Sequence, residues 1–202
     1  VYQTGSGKGQ AVREGVREHV DREYVLMLDG DATYRADDAE AMLEPLFEGE
    51  AEHVIGDRFA DMREGAMTRF NRVGNRLINW AYRGIHQREH RDILSGYRAM
   101  TADSLERMNL SAEGFGIETE MCVECVRHGI DSLEVPITYE TRPAGSETNL
   151  HPIKDGGTII VTLYRLAKTN NPLFYFGSLG AVALLSGLAI AAYVGYEWFA
   201  RD

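Results

Sequence analysis

The sequence predicts an α/β protein, with a mainly parallel sheet covered by helices on both faces and a transmembrane helix near the carboxyl end. Three observations lead there. The apolar run Tyr24-Val25-Leu26-Met27-Leu28 stops at Asp29-Gly30-Asp31, as buried strands do at the ligand-binding edge of open α/β sheets. Strand-like and helical segments then alternate as far as Glu140, the order that builds a sheet with helices packed on it. Finally, Leu173 to Tyr196 is an uncharged run of 24 residues, longer than the ~20 that cross a bilayer as a helix.

Each element has its own signal. A helix from Gly9 to Val20 aligns Val12, Val16 and Val20 on one face, and the strand ending at Asp29 follows. The helix from Ala36 to Phe47 carries Met42, Leu43, Leu46 and Phe47 as its apolar stripe. A strand at His53 to Gly56 precedes a long amphipathic helix, Ala66 to Arg83. A strand near Ile93 to Met100, short helices at Asp103 to Met108 and Ile117 to His128, and an alternating strand from Ser132 to Glu140 complete the sheet region. These boundaries divide the chain into a catalytic domain at 1–152, a juxtamembrane amphipathic helix at 153–171 and a transmembrane helix at 172–199. Arg165 and Lys168 precede the apolar span, while Arg201 follows it. The positive-inside bias is modest and puts the preceding residues in the cytoplasm.

With 202 residues and 44% hydrophobic content, the chain can fill one good-sized core. A net charge of −10 and a pI near 5.1 exclude a general nucleic-acid binder. Only Lys8, Lys154 and Lys168 are lysines, and an acid-rich, lysine-poor surface suits high salt. The chain begins at Val1, directly before Gly5-Ser6-Gly7-Lys8-Gly9, and is read as a fragment missing its amino-terminal end.

The chemistry concentrates at Asp29-Gly30-Asp31. Carboxylates at i and i+2 around a glycine can turn to one point beyond the strand. Two of them hold Mg²⁺ or Mn²⁺ while leaving coordination positions for phosphate oxygens. Arg58 and Arg142 each follow a strand and reach the same edge. Between Gly65 and Arg88 there is no Asp or Glu, yet Arg69, Arg72, Arg76, Arg83 and Arg88 accompany Met67, Phe70, Val73, Leu77 and Trp80. Such a helix serves a membrane surface or an anionic ligand, or else its apolar stripe is core and its arginines are solvated. Other signals carry little. Lys8 is followed by glycine, so its loop is no Walker A motif; Cys122 and Cys125 lack a second pair for zinc and are read as core residues.

Taken in order, Gly7-Lys8-Gly9, Asp29-Gly30-Asp31, Gly56-Asp57-Arg58, Asp92-Ile93-Leu94-Ser95-Gly96-Tyr97-Arg98 and Tyr139-Glu140-Thr141-Arg142 resemble family 2 glycosyltransferases of the dolichyl (polyprenyl) phosphate hexose synthase type. With its acidic composition the chain looks like a haloarchaeal member. The resemblance covers about residues 5–160 and implies a GT-A, Rossmann-like fold. It implies a UDP- or GDP-hexose donor held by Lys8, Asp29 and Asp31, a divalent metal on Asp29 and Asp31, and a dolichyl phosphate acceptor feeding protein N-glycosylation at the cytoplasmic face of the cell membrane. Asp31, Arg58 and Arg142 would be catalytic, and Arg58, Arg72, Arg142 and Ser146 would bind the acceptor. Relatives carry a serine-lysine pair after the arginine matching Arg142, whereas Gly145-Ser146-Glu147-Thr148-Asn149 has no lysine; Lys154 is a possible substitute. An ionised lipid phosphate needs no general base. A sugar hydroxyl would need one, with Glu118 or Glu120 the candidates. The alternatives are an enzyme extending a lipid-linked glycan and a non-catalytic, membrane-bound remnant acting as a binding partner. The sequence does not fix the hexose, the nucleotide or the oligomeric state.

Overall fold

The computed structural model describes residues 4–5, 7–112, 114, 116–143, 145 and 152–201. Helix α1 (Lys8–His19) leads into β1 (Tyr24–Met27). A 3₁₀ turn at Ala36–Asp38 opens α2 (Ala39–Phe47), followed by β2 (His53–Met62), α3 (Arg69–His86), β3 (Arg98–Thr101) and α4 (Ala102–Arg107). Then come α5 (Ile117–His128), β4 (Ser132–Tyr139), α6 (Pro152–Asn170) and α7 (Pro172–Arg201).

The sheet order is β1-β3-β2-β4. Strands β1, β2 and β4 run in one direction, but β3 lies reversed between β1 and β2. The described pairings are therefore mixed, a correction to the expected mainly parallel sheet within the same α/β architecture. Helices cover both faces. On one side Ile55 and Ile93 pack with Ile78, Tyr82 and Ile85 of α3, Cys122 and Val123 of α5, and Ile159, Leu163 and Ala167 of α6. On the other, Val54 and Ala99 pack with Met42 and Leu46 of α2 and with Tyr34, Tyr97 and Tyr139.

Two strands differ from the sequence reading. β2 runs on to Met62, because after a register shift between Asp57 and Asp61 it pairs again with Thr138 and Tyr139 of β4. The strand expected from Ile93 begins only at Arg98. The residues before it fold into a bracket around Arg98, whose Nε donates to the Ser95 carbonyl at 3.0 Å and whose Nη2 donates to the Ile93 carbonyl at 2.7 Å. Cys122 and Cys125 are buried free thiols, as expected of core residues.

Helix α7 contains a span, Pro172–Ala200, of mean hydropathy 1.9, none of it buried in the protein. Among the described residues it is the helix long and apolar enough to cross a membrane. Asn171 caps it, its Oδ1 accepting from the Phe174 N–H at 3.1 Å.

Burial pushes His86 and His90 down to about 4, with Arg98 and Arg88 adding to the effect at His90. Their folded pKa values lie below the unfolded value of ~6.5, so the unfolded chain binds more protons as pH falls below that point. Stability is thus full above pH ~6.5 and declines toward pH ~4. At pH 5 the expected loss is roughly 2 kcal/mol for each histidine, from 1.36 kcal/mol per pKa unit. Thermal unfolding between pH 7 and 5 measures it, and a melting temperature flat across that range would contradict the assignment.

Candidate active site

The site lies where β1 ends. Asp29 and Asp31 stand just beyond Met27, at the edge shared by the carboxyl ends of β1, β2 and β4. Chain segment 33–34 then runs alongside the end of β4, with Tyr34 bridging Tyr139 and the Glu140 N–H donating to the Thr33 carbonyl at 2.9 Å. That pairing brings Arg142 to Asp31, Nη2 to Oδ2, at 2.5 Å. The other Asp31 oxygen accepts from the Thr33 N–H at 3.1 Å and from its hydroxyl at 2.6 Å, so the carboxylate is fixed from both sides.

Asp29 has a different cation. Lys8, at the start of α1, places Nζ 2.5 Å from Asp29 Oδ1 and also forms an ion pair with Glu118. Burial works against the ammonium, but Glu118 and Asp29 outweigh it and hold the Lys8 pKa above the ordinary lysine value. Gly96 makes this cluster possible. A Cβ there would stand 2.5 Å from Asp29 Oδ2 and 2.8 Å from Lys8 Nζ, so any side chain would displace both. The Gly96 N–H donates to the Tyr34 hydroxyl at 2.9 Å; burial pushes that phenol up to about 12.

Lys8, Asp29, Asp31, Glu118 and Arg142 are thus brought together. Three carboxylates face two cations, and the donor set is hard oxygen, which fits Mg²⁺ or Mn²⁺ held by Asp29 and Asp31 with open positions left for phosphate. No group of three or more His, Cys, Asp or Glu residues able to hold a metal occurs among the described residues.

The remaining expected site residues make other contacts. Arg58 is buried, and its Nε and Nη2 each donate to an Asp92 carboxylate oxygen at 2.7 Å. A further bond runs from Nη2 to Asn75 Oδ1 at 3.0 Å, and Cζ sits 5.4 Å from the Tyr139 ring centroid. Its guanidinium is engaged inside the fold, behind Tyr139. Glu120 is turned away: its carboxylate accepts from the N–H groups of Ser111 and Ala112, each at 2.8 Å, and from the Ser111 hydroxyl. It braces a loop, which corrects its candidacy as a base. Arg72 lies over Met62, Nη2 to Sδ 3.1 Å, in a groove between α3 and the end of β2. Ser146 lies outside the described residues. Sequence reasoning gave no role to Asp92 or Tyr34; Asp92 opens the quoted Asp-Ile-Leu-Ser-Gly segment, and Tyr34 follows Asp31 by three residues, so both stood next to recognised signals.

Residues 1–106 match the family model described as glycosyl transferase family 2. The chain is 64% identical over 202 residues to glycosyltransferase AglJ of Haloferax volcanii, covering 100% of this chain and 66% of the relative. It is 29% identical over 174 residues to the undecaprenyl-phosphate mannosyltransferase of Micrococcus luteus, covering 81% of this chain and 69% of that one. In fold it is similar to glucosyl-3-phosphoglycerate synthase of Mycobacterium tuberculosis in complex with Mn²⁺, UDP and glucosyl-3-phosphoglycerate. The TM-score is 0.61 at 18% identity, with 84% of this chain and 56% of that chain covered. The same synthase has also been solved with Mg²⁺ and UDP. The chain therefore spans less than two thirds of AglJ and little more than half of the synthase.

Proposed function

Since the chain belongs to glycosyltransferase family 2, we propose that it transfers a hexose from a UDP- or GDP-sugar to dolichyl phosphate at the cytoplasmic face of the membrane, feeding protein N-glycosylation. The observation that carries this reading is the pairing of Asp29 and Asp31 with Lys8 and Arg142 at one strand edge. Transfer breaks the bond between the anomeric carbon and the donor diphosphate, and the electron pair leaves with the diphosphate. An oxygen of the lipid phosphate forms the new bond from the opposite face. Lys8 and Arg142 sit where the negative charge of the leaving group develops, so they stabilise it. A divalent ion on Asp29 and Asp31, when bound, would neutralise the diphosphate further.

The acceptor argument is one of protons. A phosphate monoester with a second pKa of ~6 is already ionised at neutral pH and attacks without a base. Glu118 is buried and engaged in an ion pair with Lys8. The lipid-phosphate acceptor named for the Micrococcus relative supports the same class here. Helix α7 is the proposed anchor, in keeping with its exposed apolar surface.

Glu118→Gln tests the reading. With a phosphate nucleophile the rate should fall less than ~10-fold, because general-base catalysis, worth roughly 10²- to 10⁴-fold, is not in use. Steady-state turnover on each acceptor measures it. A loss of 10²-fold or more, ~10² being the lower bound for base catalysis, would favour a hydroxyl acceptor and a glycan-extending enzyme.

A further inference from the structure

Arg98 is the largest fully buried side chain among the described residues, 0% exposed. Its partners there are the carbonyls of Ile93 and Ser95, His53 Nε2 at 3.1 Å and Cys122 Sγ at 3.4 Å, and none of them is a carboxylate. A guanidinium has only donors, so His53 Nε2 accepts and the ring proton sits on Nδ1, 2.7 Å from Cys125 Sγ. Burial, with the Arg98 charge beside it, holds the His53 pKa well below the ordinary histidine value, in keeping with that neutral tautomer. A cation kept in the core without an anion is costly, and apolar packing does not call for one.

We infer that Arg98 is a positioning residue for the Lys8–Asp29 pair, fixing both the floor and one wall of that part of the site. The floor is Gly96. The bonds from Arg98 to the Ile93 and Ser95 carbonyls hold the preceding segment off a strand path and deliver Gly96 so close that an added Cβ would stand 2.5 Å from Asp29 Oδ2 and 2.8 Å from Lys8 Nζ. A small shift of this backbone either pushes into the carboxylate or opens a gap beneath it. The wall is α5. Cys122 follows Glu118 by four residues, so the two share a helix face, and Glu118 forms the second ion pair of Lys8. Holding Cys122 therefore sets where Glu118 stands and, through it, where the ammonium stands. His53, the first residue of β2, secures the guanidinium from a third element. Arginine suits the task because its planar fork presents donors in several fixed directions at once, whereas the single ammonium of lysine does not.

This inference rests on the reading of Lys8 and Asp29 as donor-binding residues, and the test separates the two. UDP and GDP are titrated by calorimetry, with Mn²⁺ present, into the purified protein and its Arg98→Lys, Cys122→Ala and Cys125→Ala variants, each measured well below its melting temperature. Arg98→Lys keeps the charge but loses the fork, and the Kd for the nucleotide that the parent binds should rise roughly 10-fold, the lower end of the cost of removing a group that orients a ligand-binding side chain. Cys122→Ala should raise it severalfold. Cys125 is equally buried, but its thiol meets His53 and not Arg98, so Cys125→Ala should lower the melting temperature while leaving the Kd unchanged. A Kd unchanged in both Arg98→Lys and Cys122→Ala, or raised as much by Cys125→Ala as by Cys122→Ala, would show that the network only holds the core together and would overturn the positioning role. A rise confined to Arg98→Lys supports positioning through Gly96 alone. If Arg98→Lys does not fold, a Kd higher in Cys122→Ala than in Cys125→Ala supports the role, and equal values overturn it. A parent that binds neither nucleotide contradicts the donor reading and takes this inference with it.

Discussion

Asp31→Ala, and separately Asp29→Ala, should reduce transfer by at least roughly 10²- to 10³-fold, the cost of removing a group that stabilises transition-state charge. The fold should survive. Both carboxylates are partly exposed, with side chains 34% and 22% accessible for Asp29 and Asp31, and exposed ion pairs contribute only ~0–1 kcal/mol. Without Asp29, Lys8 still has Glu118, so no buried charge is stranded. Turnover and thermal unfolding measured on the same preparations separate chemistry from stability. Near-normal turnover in either variant with a chelator present would contradict the metal-binding role.

Arg58→Ala and Arg142→Ala should fail in different ways. Arg58 holds Asp92, which is 0% exposed, through two 2.7 Å bonds. Removing the guanidinium strands that carboxylate in the core, a loss of about 3–5 kcal/mol. Arg142 is 31% accessible, and its loss should change stability by ~1 kcal/mol at most while lowering the rate by ~10²-fold. Denaturant titration combined with kinetics distinguishes them. An Arg58→Ala protein as stable as the parent would show that the buried pair is not what holds that corner of the fold.

The strand ending at Asp29 was legible because an apolar run met two acids and a glycine, a pattern local in sequence. The far half of β2 was not, because Arg58-Phe59-Ala60-Asp61-Met62 has no strand periodicity and pairs only through β4, about 80 residues on. The stretch before Arg98 resembled a strand, yet its carbonyls are spent on the arginine side chain. Glu118 and Glu120 looked equivalent. Two residues apart on one helix they point ~200° apart, so only one can reach Lys8, and the sequence does not say which. On α3 an apolar stripe at helical spacing has the same period whether it meets a core or a membrane; burial alone distinguishes them. Arg58 was recognised as a charge at the right edge, but its partner lies 34 residues away in sequence.

The most direct test supplies purified protein with radiolabelled UDP- and GDP-hexoses and offers either dolichyl phosphate or a lipid-linked saccharide, followed by mild acid hydrolysis of the lipid product. Acid-labile label on dolichyl phosphate is expected, from one of the donors and lost in the Asp31→Ala protein. Label appearing only on the extended saccharide, with none on dolichyl phosphate itself, would contradict transfer to a lipid phosphate.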